Sequence, residues 1–449
     1  MIANIIGWIF EIALLFFSLA FIVTSILEGE RRALFFGSVF LLPICAGWLM
    51  ILTQLQTFRS TVLLLGIAVF VLFASVFLLP VGKKGSLNIV GDLKRLDERD
   101  VIFARVRYEE GTEQYVDYYS RHSELKTIDD RIRSMPKLGG PGSESYHVLD
   151  SPISDASFDF LEDVRTTAEG AVSSADVDMD PAAMSRRLKG MARYYGAEKA
   201  GVARLNRAHV YTHVGRDLGK YGERIELDHS HALVFTVEMD RFMVRQAPGL
   251  PVILETANQY VRAAAIAIRI GYYIRSLGYS ARAHIDGNYG IVLPPVAVDA
   301  GLGEIGRIGI LMTPGLGPRV RLGAVTTSMP LALDKPISFG AIDFCEGCNK
   351  CAENCPSGAI PKGERKVLRG VEKWVVKQEA CYTYWRKIGT DCALCMSVCP
   401  YSKPNTLVHG AVRFAAKQSR VARRITRWAD DLFYGQFPRS NRKPEWMEG

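Results

Sequence analysis

The sequence predicts a mixed α/β (α+β) protein with an N-terminal three-helix transmembrane anchor and a cysteine-rich C-terminal module. Three observations predict it. The first 82 residues are almost wholly apolar, strand-like and helix-like segments alternate from about residue 186, and eight of nine cysteines fall between Cys345 and Cys399. The boundaries that follow are 1–82 for the anchor, 83–185 for a connector, 186–340 for the core, 341–405 for the cysteine module and 406–449 for a tail. A chain of 449 residues has room for several such parts.

Three apolar runs, roughly 3–27, 33–55 and 61–80, each approach the ~20 residues that cross a bilayer. Polar breaks, EGERR at 28–32 and QTFRS at 56–60, separate them. The first run is too long for a cleavable signal peptide and lacks its basic start, and no twin-arginine export signal is read. Glu11 reads as an interface or bundle contact rather than a proton or quinone site. Cys45 reads as a small apolar filler. Arg31, Arg32, Lys83, Lys84, Lys94 and Arg95 share one side of a three-span topology, against Arg59 on the other. Basic loops stay inside, which predicts a multi-pass inner-membrane protein with its soluble part cytoplasmic and the lipid bilayer as partner.

The connector is polar and uneven, with some packed pieces, and no chemistry is assigned to it. Past Pro181, MSRRLKGMARYYG has helical periodicity and ends at a glycine. GVARL and ALVFTVEM read as strands. A long helix is predicted from about Val252 to Leu277, with Gly278 as its stop. Its stripe Tyr260, Ala264, Ala267 and Gly271 is nearly all small, so another surface, more readily a strand or helix than a flat cofactor, comes close there. ARAHI, IGILMT and RVRLGAVTTS complete the alternation of a layered domain. DHSH at 228–231 reads as turn and capping, not as a metal site. The formal charge is +8, and residues 403–449 hold ten Lys/Arg against four Asp/Glu. A tail helix from about Leu407 to Trp428 therefore presents either a solvated basic face or a contact with anionic lipid.

The cysteines are too tightly clustered for a disulfide scaffold, which spreads its pairs along the chain. CEGCNKCAENCP supplies Cys345, Cys348, Cys351 and Cys355 in the C-x2-C-x2-C-x3-C-P run of bacterial ferredoxins. Cys381, Cys392, Cys395 and Cys399 form a second group whose first member is detached. In such runs the fourth cysteine ligates the neighbouring cluster. The reading is two [4Fe-4S] clusters, one on Cys345, Cys348, Cys351 and Cys399, the other on Cys355, Cys381, Cys392 and Cys395. Zinc also takes C-x2-C pairs, but a triple run with two Cys-Pro closures is not its pattern.

Residues 301–306 read GLGEIG, a literal G-x-G-x-x-G. A nicotinamide-binding turn needs a strand before it, a helix after it and an acidic residue about 20 positions on. Here LPPVAVDA precedes, RIGILMTPGLGP follows, and no Asp or Glu occurs between Glu304 and Asp334. That reading is set aside.

YYIRSLGYSARAH (272–284), AGLGEIGRIGILMTPGLGPRVRLGAVTTSMPL (300–331) and the two cysteine groups, in this order, resemble the reductive dehalogenases, with epoxyqueuosine reductase more distant. The resemblance covers about residues 185–405. It implies a nitroreductase-like corrinoid-binding core followed by a ferredoxin-like double-cluster module, with cobalamin bound base-off. It further implies an oxidoreductase that passes electrons through the clusters to the corrinoid, cleaves a carbon–halogen bond and takes a proton from a tyrosine. On the matching positions, Tyr260 is the proton donor, Arg307 the cation beside it, and Asn288 a further catalytic residue. Asp286, Tyr289, Gly301, Gly303, Gly306, Thr313 and Arg319 would contact the cofactor, the glycines by letting backbone approach the macrocycle. The cluster facing the cobalt would be the one on Cys355, Cys381, Cys392 and Cys395.

The expected partners are a small organohalide and an electron donor, whether quinol, ferredoxin or flavoprotein, and no nucleic acid. The missing twin-arginine signal and the chain's own anchor depart from the family's exported respiratory members. Two other readings remain open from sequence: a corrinoid reductase of an epoxide-type substrate, and a membrane-bound iron–sulfur electron carrier without corrinoid.

Overall fold

The computed structural model describes residues 2–53, 61, 64–68, 71–72, 75, 88–175, 177–438 and 443–447. The chain divides into two compact units, one of residues 1–85, 343–348 and 403–437, the other of residues 86–342, 349–402 and 438–449. In the first unit, α1 (Ile2–Leu27) and α2 (Arg31–Thr53) form an apolar hairpin. Gly29, at φ +65°, takes the left-handed turn that reverses the chain. Stretches of 23 residues in each, Ile5–Leu27 and Arg31–Thr53, are long and apolar enough to cross a membrane. Two such helices, rather than three, are found among the described residues, and the expected third span at 61–80 lies largely outside them. Glu11 is buried, and neither carboxylate oxygen has a hydrogen-bond partner among the described residues.

The second unit opens with α3 (Glu113–Arg121), α4 (Ser123–Arg133) and α5 (Ser151–Asp163), which belong to the stretch read as a connector. That stretch is packed. Tyr108, Tyr115, Tyr118 and Tyr119 bury together, and Arg105 bridges Asp129 at 3.4 Å and Glu379 at 2.7 Å. A clamp of buried charges and aromatic rings is a fixed structure, not a tether.

After α6 (Pro181–Tyr194) come β1 (Lys199–Arg204), β2 (His231–Glu238), α7 (Pro251–Ser276), β3 (Ala281–His284), α8 (Leu293–Asp299), β4 (Glu304–Ile305), β5 (Leu311–Met312) and β6 (Val320–Thr327). The main sheet runs β1-β2-β6-β3, every pair antiparallel, with Phe235 opposite Gly323 and His284 opposite Ala324. α7 starts at Pro251 and stops before Gly278 at φ +92°, close to the predicted bounds. Its Ala264, Ala267 and Ile270 are buried with Ala283 of β3 and Val325 of β6. The small stripe is thus covered by strands. Each fully buried isoleucine there contributes about 1.5–3 kcal/mol, so enlarging an alanine of this seam would pry helix from sheet.

LPPVAVDA is the helix α8 with its prolines in the first turn, where a missing N–H is harmless. GLGEIG then enters the β4–β5 hairpin and no helix follows it. The strand expected over IGILMT shrinks to Leu311–Met312. α9 (Ala341–Cys348) and α10 (Gln378–Ile388) carry cysteines.

Returning to the first unit, the single tail helix expected from Leu407 is two: α11 (Leu407–Gln418) and α12 (Arg420–Tyr434). Ser419 breaks them with extended backbone, and its hydroxyl accepts from the N–H groups of Val421 and Ala422, capping α12. The pair packs on the hairpin near its loop. Phe433 meets the Phe21 ring edge-on at 5.1 Å, His409 Nε2 lies 2.8 Å from Glu28, and Arg32 Nε donates to the Leu432 carbonyl at 2.7 Å.

Candidate active site and cluster ligands

Tyr260 projects from the middle of α7, one residue after the buried Gln259. The Arg321 guanidinium of β6 lies 5.1 Å from its ring centre. Arg321 donates to Thr256 Oγ1 at 2.7 Å, and Thr256 in turn donates to the Asp391 carboxylate at 2.5 Å. The direct Arg321–Asp391 separation is 3.2 Å. Thr256 stands one turn before Tyr260, so one helix face holds both the ring and the relay that fixes the cation.

A second cation closes the group. Arg216 lies 5.1 Å from the Tyr289 ring centre and is held by Glu98 at 2.8 Å. Glu98 also accepts the Gly215 N–H at 2.8 Å. Burial pushes the Tyr260 hydroxyl above its ordinary range. Arg321 and Arg216 oppose the shift, while Asp286 and Asp391 add to it. Tyr289 is pushed well up by burial and then by Asp286 and Tyr260, so the two tyrosines, Asp286 and both arginines act on one another. A tyrosine kept neutral by burial, with a cation at its ring, can give up a proton at a bearable cost.

The hydrogen-bonding capacity here is not closed by the described residues. Arg321 Nε is buried without a partner, and neither the Tyr260 nor the Tyr289 hydroxyl bonds another described residue. Buried polar groups are normally satisfied. These open ends fit a site that a polar-edged ligand completes.

Four thiols converge in the same unit. Burial raises Cys381 to about 11, helped by Cys355. Burial raises Cys392 to about 12, with the charges of Cys381, Cys355 and Asp391 adding. Cys395 is driven well above its usual value by burial and then by Cys392, Cys381, Cys355 and Cys399. Cys355 differs. Burial pushes it up, but the Ser357 hydroxyl and the N–H groups of Ile360, Ala359 and Ser357 outweigh that and bring it down. Crowded thiolates repel unless a metal neutralises them, so this donor set fits an iron–sulfur cluster. Among the described residues no three or more His, Cys, Asp or Glu are placed to share a single metal ion.

Both cysteine runs use the same local device. Asn349 after Cys348 (φ +53°) and Ala393 after Cys392 (φ +45°) are left-handed, and each opens a short helix, Lys350–Glu353 and Leu394–Ser397. Left-handed turns of this kind aim successive N–H groups at one point, as the Leu394 N–H does toward Cys392. In the other unit, Arg427 Nε donates to the Cys348 carbonyl at 2.9 Å.

Several expected residues have other occupations. Arg307 was expected beside Tyr260. Instead its guanidinium donates to the carbonyls of Pro361 and Gly363 at 2.8 and 2.9 Å and lies 4.6 Å from the Trp374 ring centre, and the cation at Tyr260 is Arg321. Asn288 accepts from Arg282 at 2.8 Å and donates to the Arg165 carbonyl at 3.2 Å, which engages both ends of its amide. Its neighbours Asp286 and Tyr289 do join the group around Tyr260. A Cβ on Gly301 would lie 2.5 Å from the Lys335 carbonyl oxygen, and one on Gly303 2.0 Å from that of Met312. These glycines admit the chain's own backbone, where a macrocycle was expected. Gly306 closes the tip of the β4–β5 turn, its N–H on Ile310 and its carbonyl on Gly309. Thr313 is bonded within its own turn to Gly317 and Leu316. Arg319 is engaged by Glu238 at 2.7 Å and by the carbonyls of Met239 and Ser402.

Residues 344–403 match the 4Fe-4S dicluster domain. Over 291 residues the chain is 34% identical to a tetrachloroethene reductive dehalogenase of Sulfurospirillum multivorans, covering 57% of this chain and 58% of that one. A tetrachloroethene reductive dehalogenase of Desulfitobacterium hafniense is 37% identical over 210 residues, 44% of this chain and 38% of that one. A shorter match, 34% over 113 residues and 24% and 29% of the two chains, reaches an epoxyqueuosine reductase of Bacillus cereus. A solved reductive dehalogenase, described as B12-dependent, shares the fold with a TM-score of 0.65 at 24% identity, over 80% of this chain and 49% of that one. The chain thus spans 58% or less of the length of these relatives. Its similarity is thus to reductases, beside a 4Fe-4S dicluster domain. More narrowly, it is a homologue of the reductive dehalogenases that carries a 4Fe-4S dicluster domain.

Proposed function

We propose that this protein is a membrane-anchored, corrinoid-dependent reductive dehalogenase whose proton donor is Tyr260. Its α1–α2 hairpin would sit in the inner membrane with the second unit on the cytoplasmic side, fed by an electron donor at the surface. The observation that carries the reading is the pairing of Tyr260 with Arg321, in a buried group that Asp391 ties to the neighbouring Cys392.

The residues that would hold the corrinoid are the open-ended ones around Tyr260 and Tyr289, and the eight cysteines would hold two clusters. Those groups supply, when bound, the electrons and the reductive cleavage of the carbon–halogen bond. The rest falls to the chain. Tyr260 keeps a proton on its hydroxyl until carbon needs it. Arg321 stabilises the phenolate left behind, and Thr256 and Asp391 hold Arg321 in place. Arg216, fixed by Glu98, bounds the site across the Tyr289 ring.

The test is metal content and turnover of protein made with corrinoid supplied. The expectation is about eight irons and about one cobalt per chain, with halide released from a haloalkene or halophenol. Tyr260→Phe should lower turnover by about 10²–10⁴-fold with both metals retained. Iron without cobalt would leave only an electron carrier, and turnover retained by the variant would remove Tyr260 from the mechanism.

A further inference from the structure

The basic tail divides its charges between two tasks. Arg427 bonds the Cys348 carbonyl, Arg423 lies 3.9 Å from Asp343, and Arg413 donates to the carbonyls of Lys403 and Pro404. These arginines serve the protein. Lys417, Arg420 and Arg424 do not. All three are exposed and have no ion pair among the described residues.

Beside them stand four large apolar side chains, Leu407 and Phe414 seven apart on α11 and Val421 and Trp428 seven apart on α12, exposed by 80, 59, 45 and 63%. Seven residues are close to two helical turns, so each helix shows its pair on one side. Water does not favour such a stripe on a folded protein, and cations between the apolar groups are the signature of a helix lying in a membrane interface. The place in the unit agrees. α11 and α12 touch the hairpin through Phe21, Glu28, Arg32 and Ala33, the turns nearest its polar loop. From Phe21 to Glu28 is only about 10 Å along a helix, the level at which a spanning hairpin leaves the hydrocarbon.

We infer that α11 and α12 form a second, in-plane membrane attachment. Leu407, Phe414, Val421 and Trp428 enter the boundary between headgroups and acyl chains, and Lys417, Arg420 and Arg424 recognise anionic lipid headgroups. This rests on the anchor reading of α1 and α2.

The full-length holoprotein, with a benzophenone amino acid at position 428, is reconstituted in vesicles of phosphatidylcholine and phosphatidylglycerol, floated, irradiated and digested for mass spectrometry. The expected result is lipid adducts at 428, enriched several-fold for phosphatidylglycerol over its share. The enrichment should vanish in the K417E/R420E/R424E variant, which still floats. Chains that float but form only protein or solvent adducts at 428 overturn the second attachment alone. Adducts that follow bulk lipid composition overturn the anionic recognition. Chains that fail to float defeat the anchor reading and this inference together. Phe414→Ser, read by the same adducts at 428, repeats the test without altering charge.

Discussion

The stretch from Gly301 to Arg319 and the group around Tyr260 belong to one unit, yet they use conspicuous residues in opposite ways. In the first, these residues are engaged by the chain itself: carbonyl oxygens crowd Gly301 and Gly303, Thr313 bonds its own turn, and Arg319 bonds three partners. In the second, Arg321 Nε and two tyrosine hydroxyls have no partner among the described residues, in a mostly buried setting. A glycine-rich motif therefore reports how closely backbones pass. Open hydrogen-bonding ends on buried charges report where something else is to bind.

The largest effect should come from moving the cation. Arg321→Gln removes the charge at Tyr260 and should lower turnover per cobalt-loaded molecule by about 10²–10³-fold, as loss of a transition-state electrostatic partner does. Arg307→Gln breaks contacts with Pro361, Gly363 and Trp374 and should reduce stability while turnover per loaded molecule stays within a few-fold. Steady-state rates normalised to bound cobalt decide it, and the reverse pattern would restore Arg307 to the site.

Next in size is Gly303→Ala. Its Cβ would meet the Met312 carbonyl at 2.0 Å, so the hairpin must shift. Overpacking of this kind costs about 1–3 kcal/mol, which thermal melting would register as a lower Tm. Cobalt content of the surviving folded fraction should be unchanged; loss of cobalt without loss of stability would return these glycines to the cofactor.

The smallest effect contrasts the two ends of β6. One end carries Arg321. At the other, Thr326 sits in a closed chain in which His284 Nε2 lies 2.8 Å from Thr326 Oγ1, Thr326 lies 2.8 Å from His229 Nδ1, and His229 bonds Ser280 at 2.5 Å. Gly290 N–H donates to the remaining nitrogen of His284. Burial lowers His229 to about 4 from an ordinary 6.5, and lowers His284 well below its usual value. An imidazole depressed in the folded state takes up protons more readily when unfolded. Its stabilising contribution is full above about pH 6.5 and is lost progressively as pH falls toward 4, by about 1 kcal/mol near pH 5.5 for His229 alone. Melts recorded on acidification should fall less steeply for His229→Gln than for the parent chain. Equal slopes would mean that this histidine is not held neutral.

What could be read from residues alone followed from periodicity and spacing. α7 was legible because its apolar repeat is bounded by Pro251 and Gly278, and the 4Fe-4S dicluster domain because the cysteine spacing is nearly diagnostic. The partners of Tyr260 were not, because Glu98, Arg216, Arg321 and Asp391 come from segments far apart and only folding brings them to α7. One faint signal existed. Arg321 stands inside an otherwise largely apolar strand, and a cation there needs an explanation. The packing of the connector was legible only in part, for a similar reason. Its polar composition concealed that Arg105 and Glu98 are buried, each against a carboxylate or cation from elsewhere in the chain.

Asp391 gives these arrangements a shared hinge. The carboxylate that steadies Thr256 and Arg321 is the residue immediately before Cys392. The backbone that would wrap a cluster is thus also the backbone that holds the cation beside Tyr260. If the proposed roles hold, winding that loop around iron would also set the cation beside Tyr260, and cluster assembly would come before a competent acid.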